Sequence, residues 1–288
     1  MPFDFQTFKT RALTAILFVV VMLAGLLYNW WSFLLLFSVI HFGCWVEYQK
    51  LVALIDPAYK TIKPLHKYGV MLIGWGAMLW MVDVKREIDH IAIPVFGWSV
   101  FWLGMTLFIL SEMLLAKILQ PKLWAHSFFG FLYISISWAC MMQLWGNLDG
   151  RALDSNYPWM LPVLLIAAIW INDTMAYLVG SFIGKTPLSP ISPKKTWEGT
   201  IGGALLAIGV VTGMGNSIGH FPVKTLLLIS LTASVAGTLG DLLESKLKRL
   251  AGVKDSGQIM PGHGGFLDRF DSLLIATTVL RLFLYLFN

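Results

Sequence analysis

Charge is what this 288-residue chain has least of. Asp, Glu, Lys and Arg make up 13% of it, where a soluble domain carries roughly 25%. The deficit excludes an ordinary water-facing surface over most of the chain. Cysteine is nearly absent too: Cys44 and Cys140 stand alone in apolar runs, with no C-x-x-C pair. A disulfide framework and a thiolate zinc site are therefore not supported. No P-loop, dinucleotide G-x-G-x-x-G, H-E-x-x-H or G-x-S-x-G occurs, so neither a zincin nor a nucleophile elbow is indicated. The net charge of +5 does not point to nucleic acid. The basic residues sit in short loops between apolar runs, which suits membrane orientation and anionic lipid headgroups.

What the chain has in quantity is hydrophobic residues, 57%, including 13 Trp and 19 Phe. A helix needs about 20 apolar residues to cross the hydrocarbon core. Nine runs fit: roughly 12–28, 31–55, 68–83, 92–117, 125–146, 158–184, 199–217, 223–246 and 270–287. The expected fold is an all-α polytopic integral membrane protein of about nine transmembrane helices. The first run follows Lys9 and Arg11 but ends Tyr-Asn-Trp-Trp without small residues for cleavage. It is read as a retained span rather than a signal peptide. With a cytoplasmic N-terminus, sixteen Lys and Arg fall in inside segments. Only Lys85, Arg86, Arg151 and Lys224 fall outside. That bias is the one the positive-inside rule demands.

By composition the chain divides at about residue 157. Residues 1–157 hold about five apolar spans with plain loops. Residues 158–288 hold about four spans, most of the clustered glycines, the intramembrane carboxylates and two polar loops. Gly180-x-x-x-Gly184 and Gly209-x-x-x-Gly213 have the spacing that lets helices approach closely, though such spacing is common by chance. His41 is expected to be packed, and Glu47 and Lys50 to form an interfacial pair.

Three polar regions lie at what would be the cytoplasmic ends of their spans. Asp241, Glu244, Ser245, Lys248 and Arg249 share one helical face. A carboxylate inside an apolar span costs at least about 2.5 kcal/mol unless paired or solvated, and is functional by default. An amphipathic helix end with internal ion pairs is the plainer account of that stripe. The second region runs from Lys254 and Asp255 through Pro261-Gly262-His263-Gly264-Gly265 to Asp268, Arg269 and Asp271. Its glycines permit unusual φ and close backbone approach to a ligand, and its amides could form an anion nest. Asp268 and Asp271, at i and i+3, suit a hard divalent ion; Asp268 could equally be a helix N-terminal carboxylate. The third region carries Asp173 in mid-span and Lys194, Lys195 and Thr196 beside a helix N-terminus, where phosphate binding is natural. Topogenic charge alone would also explain the two lysines. Carboxylates for a metal, cations for phosphates and a glycine turn together suggest phosphoryl-group chemistry. An ion-coupled transporter is a rival reading, supported by Asp173 and Asp241 but lacking a polar path on the outer half.

The motif Ser245-x-x-Lys248-Arg249-x₄-Lys254-Asp255, then Pro261-Gly262-His263-Gly264-Gly265-x-x-Asp268-Arg269-x-Asp271, resembles the signature of the phosphatidate cytidylyltransferases, the CDP-diacylglycerol synthases, in their bacterial form. The resemblance extends over 173–199; the N-terminal half agrees only in length and span count. It implies a nucleotidyltransferase that converts CTP and phosphatidate to CDP-diacylglycerol and pyrophosphate in phospholipid biosynthesis. It implies Mg²⁺, with two metal ions or an added monovalent cation left open. The implied metal ligands are Asp241, Asp268 and Asp271, with Asp173 as a possible addition in the same cavity. Lys248 and Arg249 join the catalytic group. Substrate contacts are implied for Lys194, Lys195, Thr196, Ser245, Lys254, Asp255, His263, Gly264, Gly265 and Arg269. It further implies a homodimer among membrane lipids of the bacterial cytoplasmic (inner) membrane, with the site facing the cytoplasm. A related enzyme acting on another lipid phosphate shares these features.

Overall fold

A computed structural model of the chain describes all residues except 1–4, 83–86, 89–90, 116–119, 146, 149–150, 153–156, 219–220, 260–263 and 288. Side chains are also left undescribed at 5–11, 87–88, 91, 147–148, 151–152, 218 and 287.

In hydrocarbon every backbone N–H and C=O must be satisfied within its own segment, and the apolar runs accordingly fold as helices. Nine appear among the described residues. They are α1 (Phe5–Leu27), α2 (Trp30–Ile55), α3 (Pro64–Trp80), α4 (Ile93–Leu110), α5 (Pro121–Leu144), α6 (Met160–Ile183), α7 (Trp197–Ile218), α8 (Val223–Leu250) and α9 (Leu267–Phe287). Six of them, α2 and α4 to α8, are long and apolar enough to cross a membrane. The nine helices coincide with the nine expected runs, and the protein is an all-α polytopic membrane protein. The third run, the shortest, starts at Pro64 rather than near Tyr68, and ten of its 17 residues are buried.

Local signals set the boundaries. Asn29 caps α2: its Oδ1 accepts from the Ser32 N–H at 2.8 Å, and the Asn29 N–H donates back to Ser32 Oγ at 3.1 Å. Proline occupies the first turn of α3, α4 and α5, where its missing N–H costs nothing. Among the described residues strand is confined to three short antiparallel hairpins; the largest pairs Pro187–Ser189 with Ser192–Thr196.

The chain resolves into two compact units. One comprises Met1–Gln143 with Leu250–Arg269; the other comprises Leu144–Arg249 with Phe270–Asn288.

The first unit is held by a glycine seam between α3 and α4. A methyl at Gly104 would lie 2.6 Å from the Ile73 backbone nitrogen. One at Gly97 would lie 2.7 Å from the Leu79 carbonyl carbon, and one at Gly76 2.6 Å from Phe101 Cα. Gly69 meets the Gly104 carbonyl oxygen at 3.0 Å. Without a hydrophobic force between helices in lipid, such close backbone packing is the main source of association. Buried polar groups pin the rest of this unit. π-Helical turns at Ser111–Leu115 and Phe131–Ser135 carry two of them. Glu112 Oε1 meets His66 Nδ1 at 2.7 Å, and Glu112 Oε2 accepts from Trp124 Nε1 at 2.7 Å. Ser135 Oγ accepts from Trp45 Nε1 at 2.9 Å and bonds His41 Nε2 at 3.1 Å. His41 is thus packed, as expected.

In the second unit α6 and α7 approach through small residues. A methyl at Gly203 would meet Ala176 at 2.6–2.8 Å, and one at Gly199 would meet Gly180 Cα at 2.9 Å. Gly180 and Gly184 both face Thr196. A methyl at Gly209 or Gly213 would meet nothing within 4 Å, so among the described residues that spacing makes no helix contact.

Replacing Gly104 by leucine should cost about 1–3 kcal/mol or more, because the clash is with backbone and cannot be relieved by a rotamer change. Thermal unfolding in detergent should show a clearly lowered midpoint for Gly104→Leu and none for Gly209→Leu.

Candidate functional site

The second unit contains a cavity of about 420 Å³. Asn172, Asp173, Tyr177 and Ser181 of α6 form one wall. Ser192, Lys194, Lys195 and Thr196 of the hairpin, Thr200 of α7, and Thr238 and Asp241 of α8 complete it. The hairpin is fixed at its base. Trp197 N–H donates to the Thr186 carbonyl at 2.9 Å, and Glu198 accepts from the Lys185 and Thr186 amides at 3.2 Å. Thr196 Oγ1 accepts from the Gly199 N–H at 3.1 Å, which caps the start of α7. The second strand therefore delivers Lys194 and Lys195 to the cavity.

There Lys195 Nζ forms an ion pair with Asp241 Oδ2. Ser245 Oγ donates to Asp241 Oδ1 at 3.3 Å, and Asn172 Nδ2 donates to Asp173 Oδ1 at 3.3 Å. Asp271, at the start of α9, comes beside Asp241 because Gly240 lets α8 close on the α9 backbone. A methyl at Gly240 would sit 3.1 Å from Ser272 Cα. Asp173, Asp241 and Asp271 act on one another electrostatically, with Lys195 and Lys248 as opposing cations. One turn below Asp241, fully buried Glu244 pairs with Lys248 at 2.5 Å. Arg249 is exposed.

A second cluster lies in the first unit. Asp268 Oδ2 accepts three hydrogen bonds: from Ser256 N–H at 2.9 Å, Ser256 Oγ at 2.9 Å and Gly265 N–H at 2.8 Å. Gly264 has φ +82°, a conformation that favours glycine. Glu47, 3% exposed, reaches the same loop. It accepts from Ser256 Oγ at 2.8 Å, Phe266 N–H at 2.9 Å and Leu267 N–H at 2.9 Å. The expected Glu47–Lys50 pair does not form. Burial forces the carboxylate onto the donors of the loop, and Lys50 stays exposed. Glu47 is thus a loop-ordering residue that its spacing to Lys50 concealed. Its one signal was a carboxylate in an apolar span.

The structure brings Asp173, Asp241, Asp271, Lys194, Lys195, Thr196, Ser245 and Lys248 into one unit. It holds Asp268, Gly264 and Gly265 in the cluster around Ser256. Lys254, Asp255 and Arg269 are exposed. His263, with Pro261 and Gly262, lies outside the described residues. Among the described residues no three His, Cys, Asp or Glu side chains form a ready metal cage.

Comparison with known proteins adds to this geometry. The profile of the cytidylyltransferase family matches residues 9–287. A phosphatidate cytidylyltransferase of Helicobacter pylori is 33% identical over 224 residues, covering 75% of this chain and 80% of that protein. One of Bacillus subtilis is 50% identical over 123 residues, 42% of this chain and 45% of that one. One of Synechocystis is 43% identical over 143 residues, 48% of each.

Removing one of two acceptor oxygens from a buried, multiply bonded carboxylate leaves donors unsatisfied, at about 1–3 kcal/mol each. Glu47→Gln should therefore loosen the loop. Hydrogen exchange at 256 and 265–267 should rise at least tenfold, while that of α3 is unchanged.

Proposed function

The chain belongs to the cytidylyltransferase family and is a nucleotidyltransferase; on that premise we propose that it is a phosphatidate cytidylyltransferase, converting CTP and phosphatidate to CDP-diacylglycerol and pyrophosphate. The names of its relatives support this reading. The observation that carries it is the convergence of Asp173, Asp241 and Lys195 on one cavity, with Asp271 close enough to act on both carboxylates electrostatically.

A phosphatidate oxygen forms a bond to the α-phosphorus of CTP, and the bond from that phosphorus to the bridging oxygen breaks, releasing pyrophosphate. A phosphate monoester is already largely ionised at neutral pH, so the attack needs no strong general base. What it needs is charge neutralisation and alignment. Lys194 and Lys195 supply cations at the cavity wall, and Thr200, Thr238 and Asn172 supply polar contacts. Lys195 gives up Asp241 as it takes a phosphate oxygen. Lys254 and Arg269, exposed on the loop and at its end, carry further positive charge for the phosphates.

The donor set fits Mg²⁺. That ion takes one or two carboxylates and completes its shell with water and substrate phosphates, so a ready three-residue cage is not required. Asp241 and Asp271 would hold it, with Asp173 in the same cluster. Asp268, held by Ser256 and Gly265, orders the loop before α9 instead of joining that pair. When bound, the ion neutralises charge on the phosphate oxygens. The reading also includes a homodimer in the bacterial cytoplasmic membrane with the site on the cytoplasmic side. The sixteen-to-four distribution of basic residues supports that orientation.

Purified protein with phosphatidate, CTP and Mg²⁺ should release pyrophosphate. Release should stop when EDTA is added and return with excess Mg²⁺. No release across varied lipid and salt conditions would overturn the assignment. Asp241→Asn and Asp271→Asn should each lower turnover at least about a hundredfold, in line with losing one preorganised charge at a phosphoryl centre, while the protein still inserts. Wild-type turnover in either variant would remove that residue from the metal set.

A further inference from the structure

The first unit has a cavity of its own, of about 360 Å³, within the range of about 300–1,000 Å³ typical of small-molecule sites. It lies where the end of α2 meets the 3₁₀ turn Pro57–Thr61 and the start of α3. Three lysines line it, one from each element: Lys50, Lys60 and Lys67. Among the described residues none of the three forms an ion pair.

The two carboxylates nearest in sequence are committed elsewhere. Glu47 is held by the loop at Ser256 and Phe266. Asp56 accepts from the Ala58 N–H at 3.1 Å and pairs with Lys122 at 2.8 Å. The Lys122 ammonium holds the Asp56 carboxyl below its usual range, and His126 Nε2 lies 3.4 Å from the same oxygen, so Asp56 is engaged away from the three lysines. Among the described residues no carboxylate pairs with the three lysines, and Lys67 meets only the Tyr68 ring, 5.9 Å from its centroid.

Gln49 adds an independent feature. It lines the cavity and is 4% exposed. Its Nε2 donates to the Lys67 carbonyl at 3.0 Å, which fixes the orientation of the amide. Its Oε1 is buried with no hydrogen-bond partner among the described residues. A buried amide oxygen without a donor costs about 1–3 kcal/mol, and a turn of the amide toward the cavity would let an occupant's hydroxyl relieve it. Lysines at the ends of apolar helices reach the headgroup layer with their stems along apolar surface, and there they attract anionic lipid.

We propose that this cavity is a binding site for a phosphate ester with a hydroxyl-bearing substituent, the phosphate meeting Lys50, Lys60 and Lys67 and the hydroxyl donating to Gln49 Oε1. The proposal does not rest on the catalytic reading. The ligand is either a membrane lipid headgroup or a soluble phosphate ester of the same chemistry.

The test is native mass spectrometry of the full chain in neutral detergent with dioleoyl phosphatidylglycerol, dioleoyl phosphatidylmethanol or dioleoyl phosphatidylcholine. Wild type should retain phosphatidylglycerol about tenfold more tightly than phosphatidylcholine, given three lysines at the phosphate. The margin over phosphatidylmethanol, which has the same charge and no hydroxyl, should be about threefold. Lys60→Gln, on an exposed turn, should weaken phosphatidylglycerol several-fold with an unchanged melting temperature. Lys50→Gln/Lys60→Gln/Lys67→Gln should abolish the preference over phosphatidylcholine. Displacement by sn-glycerol 3-phosphate at matching concentration supports a soluble ester; its failure to displace supports the lipid. Equal retention of the three lipids by wild type, or an undiminished preference in the triple variant, overturns the site. Equal retention of phosphatidylglycerol and phosphatidylmethanol overturns the role of Gln49.

Discussion

A carboxylate inside an apolar helix must be matched donor by donor, because hydrocarbon supplies neither water nor counter-ions. Glu47 in α2 illustrates the rule: its two oxygens take one hydroxyl and two backbone amides of a distant loop. Glu112 takes a histidine and an indole, and Glu244 takes a lysine one turn away. Each match fixes the geometry of the segment that supplies the donors. The loop before α9 is therefore shaped by carboxylates, Glu47 from one side and Asp268 from within the loop itself. The glycines at 257, 264 and 265 leave the space that those carboxylates occupy.

The site region of the second unit follows the same rule with a surplus of negative charge. Asp173, Asp241 and Asp271 are brought near one another by helices that touch through Gly240 and through the Ala176–Gly203 contact. Lys195 arrives from a strand rather than a helix, and it opposes a charge that the helices alone leave unbalanced. A rigid helical frame with a cation on a short hairpin gives a polar centre without a long polar helix face.

Much of this was legible in the sequence. Runs of apolar residues gave the helices, since length and hydropathy follow directly from bilayer thickness. The exact starts were set by signals that run length does not use, proline in the first turn and the Asn29–Ser32 cap. Other features were hidden for physical reasons. The segment before α7 fell between two expected spans and so counted as a polar loop; it pairs as a hairpin in spite of Pro187 and Pro193, since proline is tolerated at the free edge of a two-stranded ladder. Glu47 and Lys50 are three residues apart and of opposite charge, so local spacing suggested a pair. The true partners lie some 220 positions along the chain, where no periodicity can reach. Asp268 and Asp271 looked equivalent by spacing, but one closes a turn and the other faces the α8 carboxylate.

The α3–α4 seam follows a spacing of seven, Gly69 to Gly76 and Gly97 to Gly104, rather than the four-residue spacing usually sought. Each of these positions meets backbone across the seam, and backbone cannot change rotamer to make room. Large exposed side chains such as Leu103 or Trp102, by contrast, are not wedged against backbone. A substitution map of the first unit would thus be least forgiving at four residues that carry no side chain at all.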